Sequence, residues 1–138
     1  MILENMRIRN LPRRLAPAAA FTLIELLVVL AIVATLLAIA TPRYFRALDN
    51  SKEVALKQSL SVMRDAIDKF YGDRGVYPES LEDLVEKRYL RNVPVDPITE
   101  NATSWELIAP AEQKLGKVYN VKSGAPGRAS DGTDYKDW

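Results

Sequence analysis

The chain has 138 residues, with 19 lysines and arginines against 18 aspartates and glutamates, and neither cysteine nor histidine. That length leaves room for one modest domain beside an anchoring segment. Disulfides, Cys/His zinc sites, cysteine nucleophiles and histidine-dependent triads are all excluded, and no glycine-rich phosphate loop appears.

The first 20 residues carry Arg7, Arg9, Arg13 and Arg14 against Glu4 alone, and removing them leaves 15 bases and 17 acids. A slightly acidic remainder argues against a general polyanion binder. An uninterrupted apolar run follows, from Phe21 to Thr41, with Glu25 as its only charge and Pro42 closing it. About 20 apolar residues suffice to span a bilayer as a helix. Basic residues ahead of such a span hold that end in the cytoplasm, so the remainder faces the periplasm or the exterior. A secretory signal has a shorter apolar core followed by a small-residue cleavage site. A plain signal anchor has the right length, but it gains nothing from an acid. A carboxylate in hydrocarbon costs about 2.5 kcal/mol or more, which makes Glu25 a functional-site candidate.

Ala20-Phe21-Thr22-Leu23-Ile24-Glu25 resembles the processing site of the type IV pilin superfamily. The resemblance implies cleavage between Ala20 and Phe21 by a prepilin peptidase, methylation of the new N-terminus, and a role for Glu25 in subunit assembly. The family usually has glycine before the cut; Ala20 keeps the small size. Pro42 matches a proline the family often carries, which would kink or loosen the helix; read alone, it marks the end of an anchor. Proline inside a helix costs about 3 kcal/mol.

Beyond Pro42 the spacing predicts that the helix continues. Leu56, Leu60, Met63, Ile67 and Phe70 step by four and three, a single apolar stripe. Lys52, Glu53, Lys57, Arg64, Asp65, Asp68 and Lys69 fall on the other faces, and Gly72 and Gly75 end the helix. From Phe21 to Tyr71 it would run about 76 Å at 1.5 Å per residue. Next, Ser80 and Asp83 form a capping-box signal for a short helix reaching Lys87 or Tyr89, with Leu81, Leu84, Val85 and Tyr89 inward. Val93 to Thr99 is an ordered loop, because Pro94 and Pro97 sit three apart. Trp105–Ile108 and Lys117–Lys122 read as strands joined by a long connection, with Val118 and Asn120 on one face and Tyr119 and Val121 on the other. The end, from Ser123 to Trp138, is rich in turns and acids, and Trp138 is placed to pin it.

The order of Gly-Val-Tyr-Pro, a Leu-rich helix, Val-Pro-Val-Asp-Pro, a Trp-containing strand, Val-Tyr-Asn-Val, Ser-Gly, Asp-Gly and a terminal Trp is similar to the major pseudopilins of type II secretion systems. That likeness implies an α+β, pilin-like fold: a leader at 1–20, a membrane and filament-core helix at 21–42, and a periplasmic head at 43–138 with a short helix and a small antiparallel sheet. It further implies a non-enzymatic subunit of a helical homopolymer. Its expected partners are minor pseudopilins, prepilin peptidase and an inner-membrane assembly platform, with no nucleic acid. The family binds calcium in its C-terminal loop, which here points to Ser130, Asp131, Thr133, Asp134 and Asp137; a solvated acidic tail with an Asp131-Gly132 turn is the alternative. A pilin for adhesion, motility or DNA uptake, or a signal-anchored periplasmic binding module, are the other functional readings. Translation starts at Met1 or Met6.

Overall fold

The computed structural model describes residues 19–138. The expected leader and both candidate start methionines lie outside the described residues, apart from Ala19 and Ala20. The chain divides into two compact units, one reaching Ile39 and one running from Ala40 to Trp138, the head. The fold is α+β and pilin-like. A long helix α1 (Leu23–Arg74) precedes a short helix α2 (Leu81–Glu86) and a two-stranded sheet of β1 (Glu106–Ile108) and β2 (Asn120–Lys122).

Helix α1 starts at Leu23 rather than Phe21. Thr22 caps it, its hydroxyl accepting from the Glu25 N–H at 3.2 Å while its carbonyl accepts from Leu26. Thr-x-x-Glu is itself a helix-start signal, and it places the start two residues after Phe21. The helix runs on through Pro42. It ends after Arg74, where Gly75 takes φ +70° and donates to the Tyr71 carbonyl. Gly72 stays inside it.

The four-and-three stripe is the floor of the head's core. Leu56, Leu60, Met63, Ile67 and Phe70 are buried, with Ala66 beside them, against Leu81, Leu84, Leu90, Trp105, Val118 and Val121. Two polar residues expected on solvated faces are not solvated. Glu53 is buried. Arg64 is half-buried and donates to the Asn120 side chain and the Val121 carbonyl, both at 3.0 Å, fastening α1 to β2.

Ser80 caps α2 as predicted, accepting from Asp83 N–H at 3.1 Å. The return bond lands one residue earlier than a capping box requires, from Glu79 N–H to the Asp83 carboxylate. The helix stops at Glu86 because Arg88 adopts φ 64° and the Tyr89 and Leu90 amides both turn back to the Leu84 carbonyl.

In the sheet Leu107 opposes Val121 and Glu106 opposes Lys122. The expected alternation from Lys117 fails: Val118 and Val121 are both buried, while Tyr119 is exposed. The reason is that residues 117–119 precede the ladder. Lys117 and Val118 donate to the Pro78 carbonyl, so the chain there packs along the α1–α2 connection. Gly116 permits this approach, with φ +119° and the Tyr77 carbonyl where a side chain would stand.

Candidate assembly surface

The described part of the first unit is a helical arm whose residues are all exposed. Phe21 and Leu23 are over four-fifths exposed, and every residue from there to Ile39 is exposed as well. By length and composition the helix can cross a membrane: its most apolar 18-residue window has a mean hydropathy of 2.9, and none of it is buried. The polar atoms in this stretch are handled locally, as hydrocarbon demands. Thr35 donates its hydroxyl to the Ala31 carbonyl at 2.8 Å. Ala31 and Thr35, flanked by Leu27, Ile32 and Leu36, leave a shallow apolar groove, the kind of small-residue seam along which helices pack closely in lipid.

Glu25 is exposed in the first turn of α1. A carboxylate there is favoured by the helix dipole. Ala20 is exposed and lies ahead of the helix, so the Ala20–Phe21 bond is accessible within the described residues. Bare apolar surface does not end at Pro42. Tyr44, Phe45 and Leu48 are exposed in the head's first turns, and burial on α1 begins only around Glu53.

The five residues expected to hold calcium do not form one ligand set. Ser130 gives its hydroxyl hydrogen to Glu53. Asp131 turns one oxygen onto the Thr133 N–H and hydroxyl, at 2.9 and 2.6 Å. Asp134 pairs with Arg128 at 3.3 Å, and Asp137 is exposed. No group of three or more acidic side chains positioned for a metal occurs among the described residues. Calcium wants six to eight converging oxygens, and the set as arranged does not fit it. Trp138 pins the loop, donating to the Thr133 hydroxyl, stacking edge-on against Tyr135, and carrying the Lys57 ammonium 4.5 Å above its ring.

Two buried acids in the head were not singled out by sequence. Asp96, fully buried, accepts from the Ile98 and Thr99 amides with one oxygen and from the Ser123 hydroxyl with the other. The signal for it was an Asp flanked by Pro-x and Pro, a turn-forming position. Glu53 accepts from the Ser130 amide at 2.7 Å, the Ser130 hydroxyl at 2.6 Å and the Tyr135 hydroxyl at 3.1 Å. The Ser130 hydroxyl does most to hold the Glu53 carboxyl below its ordinary pKa, with the Ser130 amide and Tyr135 adding to it against the opposing effect of burial. Burial and the bond to Glu53 push the Tyr135 phenol up.

An exposed apolar arm capped at Thr22, one carboxylate in its first turn and a small α+β head packed on the second half of the same helix make up an architecture like that of type IV pilins. Residues 16–41 match the family model for the prokaryotic N-terminal methylation motif. Over most of its length the chain is similar to the type II secretion system core protein G of Pseudomonas aeruginosa, 27% identical across 87% of this chain and 94% of that protein. It is also similar to the fimbrial protein EcpC of Eikenella corrodens, 29% identical across 82% of this chain and 76% of that protein. No solved structure matches the chain.

Proposed function

We propose that the chain is a structural subunit of a type II secretion pseudopilus, held in the inner membrane by its arm with the head in the periplasm, and then drawn into a periplasmic filament of identical subunits. The observation that carries this reading is the arm itself: a bare apolar helix with one carboxylate in its first turn, lying on the residues that match the methylation motif. Prepilin peptidase cuts between Ala20 and Phe21, and the Phe21 amine is methylated. In the filament Glu25 sits beside the amine of a neighbouring subunit. At low effective dielectric that pair is far stronger than in water, and removing one partner strands the other charge. The pair sets the register of an otherwise featureless apolar core, with Pro42 adjusting the arm's path. Minor pseudopilins and an inner-membrane platform are the remaining partners, and the filament's growth does mechanical work rather than chemistry.

Intact-mass and N-terminal analysis of the protein extracted from membranes tests the first step. The expected product begins at Phe21 and carries one added methyl group. A mature chain that retains Arg13 and Arg14 refutes processing and returns the protein to the class of simple anchored modules. The fimbrial relative supports a surface pilus as the alternative reading. A deletion strain that exports its substrates normally but lacks surface filaments favours that alternative.

A further inference from the structure

We propose that the C-terminal loop of this head is closed by the Glu53 carboxylate acting as a built-in anion, and that it folds and holds without calcium. The loop's geometry is that of an anion site. The groups turned inward from residues 130–135 are donors: the Ser130 amide, the Ser130 hydroxyl and the Tyr135 hydroxyl, all converging on the two oxygens of Glu53. A cation site needs the opposite polarity, with oxygens converging and hydrogens turned away. Here the acidic oxygens point elsewhere: Asp131 to Thr133, Asp134 to Arg128.

The loop is also internally complete. Ala129 donates to the Thr133 carbonyl at 2.7 Å, Gly132 returns to the Ala129 carbonyl at 3.0 Å, and Arg128 bridges Asp134. Gly132 takes φ +86°, which makes the tight return possible. Ala129 and Tyr135 face the core as two apolar feet. What remains is to tie a polar loop to a helix 77 residues away in sequence, and Glu53 does so through Ser130. Hydrogen bonds to an ionised acceptor are the strong ones. A calcium ion wrapped by the loop would have to turn Asp131 and Asp134 away from their present partners.

The test uses the full chain in detergent micelles, with calcium chloride or with EGTA. Thermal unfolding followed by tryptophan emission should give midpoints within about 1 °C of each other, because a ligand stabilises only in proportion to its binding. Glu53→Gln keeps an acceptor but turns an amide toward donors; it should lower the midpoint by about 5–15 °C in either buffer. Trypsin cleavage after Arg128, measured well below the midpoint so that the head is still folded, should accelerate at least about tenfold in Glu53→Gln as the loop opens locally. Ser130→Ala, which retains the Ser130 amide and Tyr135 bonds, should show the same cleavage change in weaker form if Glu53→Gln does not fold. A midpoint several degrees higher in calcium, chelator-accelerated cleavage of the unsubstituted chain, or wild-type cleavage in both variants overturns the proposal.

Discussion

Asp96→Ala should be among the most damaging single changes in the head. Asp96 is fully buried, as is Ser123 beside it. Its carboxylate takes the Ile98 amide at 2.8 Å, the Thr99 amide at 3.3 Å and the Ser123 hydroxyl at 2.7 Å. Truncation leaves the buried Ser123 hydroxyl and the half-buried Ile98 and Thr99 amides without this acceptor, and a buried orphan costs about 1–3 kcal/mol. The Thr99 bond is long and counts for little, so the loss comes to about 3–5 kcal/mol. In a unit of this size 1 kcal/mol moves the midpoint by about 4–8 °C, so the melting temperature should fall by about 12–40 °C. Asp96→Asn keeps one oxygen for Ile98 and offers an amide to the Ser123 oxygen, so its cost should stay below about 1.5 kcal/mol. Trp105 donates its indole N–H to the carbonyl of Pro94, two residues before Asp96, so tryptophan emission reports this loop directly. If Asp96→Ala melts within about 5 °C of the unsubstituted chain, or Asp96→Asn is equally harmful, the buried carboxylate is not the anchor described here.

Glu25→Leu should insert into the membrane at least as readily as the unsubstituted chain, since about 2.5 kcal/mol of charge burial is removed, yet fail to assemble; normal filaments in crosslinking and pull-down of detergent extracts would eliminate the pairing role. A chain starting at Arg43 should be a soluble, folded monomer, because the stripe from Leu56 to Phe70 is already covered by the head; aggregation at micromolar concentration in sedimentation analysis would show that the head depends on neighbours. Acid should weaken the C-terminal loop. Glu53 is held below 4.5 in the fold, so its contribution is complete above that value and is lost as the pH falls through its lowered pKa. Asp49, Lys57, Asp131 and Tyr135 lie around it, and Asp131, itself lowered by its bonds to Thr133, contributes in the same direction. Glu53→Gln should flatten the melting-temperature profile below about pH 4.5, and an unchanged profile in that variant would count against the assignment.

The parts of this fold that sequence made legible are those fixed by local spacing. The stripe from Leu56 to Phe70 was readable because an α-helix brings residues three and four apart onto one face, and each of those residues is buried. The Ser80 cap was readable because its partner is three residues on. What escaped depends on distant pairing. Glu53 sits between Lys52 and Lys57 in a polar-looking stretch, and nothing nearby in sequence indicates that a serine 77 residues later will cover it. Asp96 reads as a turn residue, and only the arrival of Ser123, 27 residues on, makes it a buried junction. The strand faces around Val118 depart from simple alternation for a similar reason: the Pro78 carbonyl, far back in the chain, takes the Lys117 and Val118 amides that a strand would have used. Asp131, Asp134 and Asp137 look like a ligand series at regular spacing, but in the loop they are dispersed onto Thr133, Arg128 and solvent.

The arm poses an energetic question that the head does not. In water its exposed leucines, isoleucines and valines would be a large hydrophobic liability. In a bilayer they are already satisfied. Moving the arm from lipid into a filament core therefore gains little from burial as such, because lipid tails are as apolar as leucine; what remains is packing contact and polar pairing. Packing of a leucine- and valine-rich helix is permissive about register, since sliding by one turn exchanges similar side chains. Glu25 is not permissive. In lipid its charge is costly, and within the proposed filament only a register that places it beside a positive terminus relieves the cost. Removal of the leader, as proposed, would act in two ways. Cleavage as proposed would create the amine, and it would take away the arginines that hold the N-terminal end at the cytoplasmic surface. The same cut would thus release the arm from its membrane orientation and supply the charge that selects its place among its neighbours.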